Sequence, residues 1–103
     1  MERIEKLKEF LAATPNDPFL QHALALEYVK LGKSDDARNL FEQILTSRPD
    51  YVGSYYHLAK LLEQKGEPQL AAQWYKKGID AADLARDNHA KNELRAALDE
   101  LEE

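Results

Sequence analysis

An all-α fold of stacked helix hairpins is predicted by three features of this sequence. The chain repeats itself: a shift of 34 residues lays Leu24-Ala25 on Leu58-Ala59, Gly32 on Gly66, Ala37 on Ala71, and Phe41 on Tyr75. Apolar side chains recur three and four positions apart, the spacing of one helix face. Glycine and proline fall between these periodic stretches, where helices stop and start. A fixed period of this size marks a stacked repeat architecture. The reading is one domain over residues 1–103. It holds repeat units at 18–51 and 52–85, a half-repeat at 2–15 and a capping helix at 88–102.

Six helices are expected, near 2–14, 18–31, 34–47, 51–65, 68–85 and 88–102. The first carries Ile4, Leu7, Phe10 and Leu11 on one face. Pro15 ends it, because the residue before a proline is pushed out of helical geometry. Asp17-Pro18 starts the second: a side-chain acceptor at the cap, then a proline whose missing N–H is not needed. Leu20, Leu24, Ala25 and Tyr28 form its buried stripe, and Gly32 supplies the left-handed stop. Ser34 is expected to cap the third helix, with Asp35 and Asp36 favoured at its positive end. Ala37, Leu40, Phe41, Ile44 and Leu45 face its core, and Pro49 closes the unit.

The second unit repeats this plan. Asp50 is the expected cap, Tyr55, Leu58, Ala59 and Leu62 the stripe, and Gly66 the stop. Pro68 begins a helix carrying Leu70, Ala71, Trp74, Tyr75, Gly78, Ile79 and Ala82. The register then lapses, with Asp83 where Pro49 would recur. Arg86 to Lys91 is almost wholly polar, after which Leu94, Ala97, Leu98 and Leu101 resume a narrow apolar seam. This reads as a break near 86–89 followed by a capping helix. One unbroken helix from Pro68 to the end is the alternative, since neither glycine nor proline interrupts residues 79–103.

Composition narrows the function. Net charge is −5, with the acidic excess towards the C-terminus and no basic patch, so nucleic acid and anionic membrane are poor partners. There is no cysteine, hence no disulfide and no thiolate metal site. The charged N-terminus lacks the apolar core of a signal peptide, and no run is long enough to span a membrane. A cytoplasmic location is the expectation. His22 and His57 alone do not make a metal site, which would need further ligands. Ser34-Asp35-Asp36 reads as a helix start rather than an acidic site. Trp74 reads as packing rather than a base-stacking platform. No nucleophile with its base, phosphate loop or paired carboxylates in an apolar pocket stands out, so neither catalytic nor cofactor-binding residues are assigned.

The residues resemble the tetratricopeptide repeat. Its pattern of W-x₂-L-G-x₂-Y, A-x₃-F and P is matched by Gln21-x₂-Leu24-Ala25-x₂-Tyr28, Ala37-x₃-Phe41 and Pro49. The second unit reads Tyr55-x₂-Leu58-Ala59-x₂-Leu62 and Ala71-x₃-Tyr75. Gln21 departs from the aromatic, and Gly78 stands where a small residue, usually alanine, is expected. On this pattern Gln21→Leu is expected to be neutral or stabilising.

The resemblance implies a non-catalytic protein–protein interaction module whose concave groove takes a peptide or helical segment. It carries Phe19, His22, Leu26 and Val29, then Gly53, Tyr56, His57, Lys60 and Glu63, onto that groove. Lys60 is expected to supply charge for an acidic or carboxyl-bearing partner. One branch of the family grips chaperone C-termini with a lysine-asparagine-asparagine-lysine-arginine set. Here His22, Leu26, His57, Asp87 and Lys91 stand at those places, and only Lys91 keeps a matching cation. That specialisation is rejected. The rival expectation is a structural module that forms a homodimer through its terminal helices.

Overall fold

The computed structural model describes residues 2–103, and these form six α-helices and no strand. They are α1 (Glu2–Ala13), α2 (Pro18–Lys30), α3 (Ser34–Ser47), α4 (Gly53–Gln64), α5 (Pro68–Leu84) and α6 (Asn88–Glu102). They fall into two compact units, one ending at Arg48 and the other Pro49–Glu103.

In the first unit, α1 and the α2–α3 hairpin share a core. Ile4, Leu7 and Leu24 are buried together, with Leu11, Leu20, Tyr28 and Leu40 packed around them. Ala25, Ala37 and Phe41 are fully buried, so the small residues lie where the helices approach closely. Asp17 caps α2 as expected: its Oδ1 accepts from the Phe19 and Leu20 N–H groups at 3.0 and 3.3 Å. Arg3 reaches Glu27 at 3.4 Å between α1 and α2.

Three helix ends share one closure. At α2, Gly32 has φ 74°, the Lys33 N–H donates to the Tyr28 carbonyl and the Gly32 N–H to that of Val29. At α4, Gly66 has φ 79°, with Glu67 bonded to Leu62 and Gly66 to Glu63. This is the left-handed C-terminal motif in which two orphan carbonyls are satisfied at once. The third copy ends α5, with Asp87 bonded to Ala82 and Arg86 to Asp83, but the left-handed residue is Arg86, φ 56°. The chain therefore breaks at 85–87 without glycine or proline, and the unbroken helix does not form. Asp87 then caps α6, its Oδ1 accepting from the Ala90 N–H at 3.1 Å. Across the break, the Lys91 ammonium donates to Asp83 at 2.8 Å. That bond holds the Asp83 carboxyl below its ordinary range.

Two expected caps are corrected. Ser34 is the first residue inside α3, and the capping position is Lys33. The α2 closure uses both Gly32 and Lys33, and the Lys33 carbonyl already accepts from Ala37, so no separate residue remains between the helices. Asp50 does not cap α4 either. Its first turn closes on the Tyr51 and Val52 carbonyls through Ser54 and Tyr55, and the helix begins at Gly53.

The structure gives a reason to revise the Gln21 expectation. Gln21 is buried, and its Nε2 donates to the Pro15 carbonyl at 3.0 Å. At the equivalent place in the next repeat, the Tyr55 hydroxyl donates to the Pro49 carbonyl at 2.6 Å. Two chemically different side chains thus play the same part, and each pins the turn that precedes its hairpin. A leucine at 21 fills the space but leaves that carbonyl without its donor, which costs about 1 kcal/mol or more.

Candidate peptide-binding groove

The second unit holds the concavity that Tyr56, His57 and Lys60 line. Tyr55, Leu58, Ala59 and Leu62 of α4 are buried, which orients that helix. Tyr56, Lys60 and Glu63 flank this stripe and are half-buried. On α6, Leu94, Ala97 and Leu98 are buried, leaving Glu93, Ala96 and Glu100 exposed at i, i+3 and i+7 along one flank.

Two adjoining hollows run between these flanks. One, of about 210 Å³, is lined by Val52, Gly53, Tyr56, His57, Ala90, Glu93 and Leu94. The other, of about 230 Å³, is lined by Tyr56, Lys60, Glu93, Ala96, Ala97 and Glu100. They share Tyr56 and Glu93 and so form one groove.

Tyr56 is its central side chain. Its ring meets His57 edge-on at 5.8 Å and the buried Tyr75 ring at 6.4 Å. Lys60 Nζ lies 5.7 Å above the Tyr56 ring and 3.6 Å from Glu63 Oε2. Glu63 also accepts the hydroxyl proton of Tyr75, whose pKa is pushed up by burial and by this bond. Lys60, Glu63, Tyr75 and Tyr56 thus brace one another. His57 is exposed, yet partial desolvation beside the groove lowers its pKa below the ordinary imidazole value, and the Glu93 charge opposes the shift.

In the first unit, Phe19, His22, Leu26 and Val29 lie along α2 with spacings of three and four, hence on one stripe. Phe19 is 70 % exposed, His22 and Leu26 are half-buried, and Val29 is at the surface. His22 meets the buried Phe41 ring edge-on at 5.7 Å.

A larger hollow of about 700 Å³ lies elsewhere on the second unit, against Tyr55, Lys77, Asp80, Ala81 and Leu84, and none of the groove candidates lines it. Among the described residues no three His, Cys, Asp or Glu side chains are grouped as a metal site requires.

The α6 wall escaped sequence reasoning. The seam of Leu94, Ala97 and Leu98 identifies the packed face of α6. Which flank then turns towards α4 depends on the helix crossing, which periodicity does not report.

The repeat register, the three left-handed closures and the paired turn clamps describe a helical hairpin repeat. The family model for the tetratricopeptide repeat matches residues 22–86. The chain belongs to the tetratricopeptide repeat family. It is similar to a tetratricopeptide repeat domain protein from Salinibacter ruber, at 39 % identity and TM-score 0.83, over 85 % of this chain and 89 % of that one. It is similar also to a Bordetella parapertussis protein, at 26 % identity and TM-score 0.82, over 95 % of this chain and 85 % of that one. Human aspartyl/asparaginyl beta-hydroxylase is 24 % identical over 82 residues, or 80 % of this chain. The chain spans only 11 % of that protein's length. No helix among the described residues is long and apolar enough to cross a membrane.

Proposed function

We propose that this tetratricopeptide repeat chain is a non-catalytic interaction module that holds a peptide segment of another protein in the α4–α6 groove. The observation that carries the reading is Tyr56. It is a half-buried aromatic side chain at the centre of two joined hollows, braced from below by Tyr75 and from the side by Lys60. An aromatic side chain offers a large contact area at small entropic cost and is the kind of residue on which binding energy concentrates. The braces hold it in place before any partner arrives, which reduces the ordering cost of association. On the first unit, the α2 stripe of Phe19, His22, Leu26 and Val29 is a separate candidate contact surface in this reading.

The test is capture of the partner by wild-type protein, Tyr56→Ala and Lys60→Ala, with bound proteins identified by mass spectrometry. Tyr56→Ala gives up its edge contact with Tyr75, a loss of roughly 1 kcal/mol in stability. Lys60→Ala is close to neutral. Both variants should therefore fold, and both should capture less. Folded variants that retain the partner would refute the groove.

A second reading is self-association through α1. Phe10 is 56 % exposed there and borders a hollow of about 330 Å³ with Leu7, Arg3 and Lys6. Sedimentation equilibrium separates the two. An apparent mass that rises with concentration for the wild type but not for Phe10→Ser supports dimers, and a constant mass excludes them.

A further inference from the structure

We infer that the α4–α6 groove selects a positively charged, extended segment, the opposite of what Lys60 alone implies. This rests on the groove reading above and adds to it the chemistry of the partner.

The sign follows from how each charge in the groove is already engaged. Lys60 is 3.6 Å from Glu63 and lies over the Tyr56 ring, so its charge is balanced inside the protein. The α6 wall adds Glu93 and Glu100. Glu93 is met by the His89 ring at 2.7 Å, an ion pair only while that ring is protonated. Among the described residues, Glu100 has no cationic partner. Its charge reaches Tyr75, where it helps raise the hydroxyl pKa. His57, at the exposed end of the groove, is shifted towards its neutral form by partial desolvation. The groove is therefore an apolar and aromatic shelf with an acidic rim on one side, where Glu100 has no cation among the described residues and Glu93 meets only the His89 ring. An acidic or carboxylate-bearing segment would meet like charge there. A cationic one meets complementary charge, which steers encounter and fixes register.

Spacing narrows the occupant further. Glu93 and Glu100 lie seven residues apart on one helix, about 10 Å along its axis. A polyproline-II segment rises about 3.1 Å per residue with three residues per turn, so side chains three apart share a face about 9 Å apart. Two basic side chains at that separation reach both carboxylates. Ala96 and Ala97 lie between them, opposite Tyr56, and leave room for an apolar side chain. The fitting segment is extended, with two lysines or arginines three residues apart around an apolar residue.

The experiment is fluorescence anisotropy with three labelled synthetic peptides of one length. One carries arginines at that spacing around a leucine; the others carry glutamate or glutamine in their place. The titrations use wild-type protein, Glu93→Gln/Glu100→Gln, Tyr56→Ala, and an Asp99→Asn/Glu103→Gln control that removes equal charge on α6 and at the residue after it. All four altered positions in the two charge variants are exposed, so these proteins should fold. The arginine peptide should bind most tightly, and more weakly as salt is raised. The groove charge variant should lose about tenfold in affinity, and the control variant much less. The inference is overturned if the arginine peptide binds no better than the glutamine peptide. Equal losses in both charge variants overturn it too, since they would report diffuse attraction to an acidic surface. Tyr56-dependent binding of the glutamate or glutamine peptide in preference would overturn the charge assignment and leave the groove standing.

Discussion

Gly78→Ala provides a sharp test of the second hairpin. Alanine normally stabilises a helix interior over glycine, by about 0.5–1 kcal/mol. Here the added Cβ would sit 2.6 Å from Tyr55 Cβ, 3.0 Å from Tyr55 Cγ and 3.1 Å from Leu94 Cδ1. Carbon atoms rest about 3.5–4 Å apart, so α4 and α5 must separate by close to an ångström. Tyr55 Cβ is fixed to its backbone and cannot swing aside, and the Tyr55 hydroxyl is held by Pro49. Overpacking of this kind costs about 1–3 kcal/mol, which outweighs the propensity gain. The expected net loss is about 1 kcal/mol, or roughly 4–8 °C in Tm for a domain of this size. Gly53→Ala is the control. Nothing lies within 4 Å of its added Cβ and its backbone is not left-handed, so it should stabilise by about 0.4–1 kcal/mol. Urea melts fitted by linear extrapolation measure both. Gly78→Ala as stable as the parent would refute the close approach of α4 and α5. In the first hairpin the register places Gln21 and Ile44 where the second has Tyr55 and Gly78, so bulk has moved from one helix to its partner.

Further outcomes follow from the closures and clamps. Gln21→Leu and Tyr55→Phe should each destabilise by about 1 kcal/mol in urea melts, because each removes the donor to a turn carbonyl. Equal midpoints would contradict the clamp. Arg86→Gly should raise stability by about 1 kcal/mol by relieving the left-handed backbone. A loss would mean that Arg86 holds the break through its side chain. The His57 imidazole should titrate by NMR below its ordinary value of 6.5, because partial desolvation disfavours its charged form. Glu93→Gln should lower it further by removing the opposing charge. Since the folded pKa is the lower one, the stability from neutral His57 is present above the ordinary imidazole pKa and declines as pH falls below it. An unchanged titration in Glu93→Gln would place α6 away from α4.

The elements legible in the sequence are those marked by backbone chemistry. Gly32 and Gly66 announce their stops because only glycine adopts their conformation without strain. Asp17-Pro18 announces a start because both residues satisfy the same helix end. Arg86 gives no such mark, since it holds the same conformation against its own preference, and only the polar run around it signals a break. Ser34 and Asp50 mislead because capping residues are equally good just inside a helix or in the turn before it. Gln21 misleads because the pattern records side-chain size, whereas its role is a hydrogen bond. At the groove, Tyr56 and Lys60 are legible from their offset to the buried stripe of α4. Glu93 and Glu100 are not, and Lys60 alone points to the opposite sign of charge because its pairing with Glu63 depends on side-chain geometry.

The most direct measurement is amide hydrogen exchange of the chain with and without its captured partner. If the α4–α6 groove holds the partner, protection should rise in 53–64 and 90–100, with Tyr56→Ala abolishing the change. Protection confined to α1, or to the surface around Lys77, Asp80 and Leu84, with 53–64 and 90–100 unaffected, would contradict it.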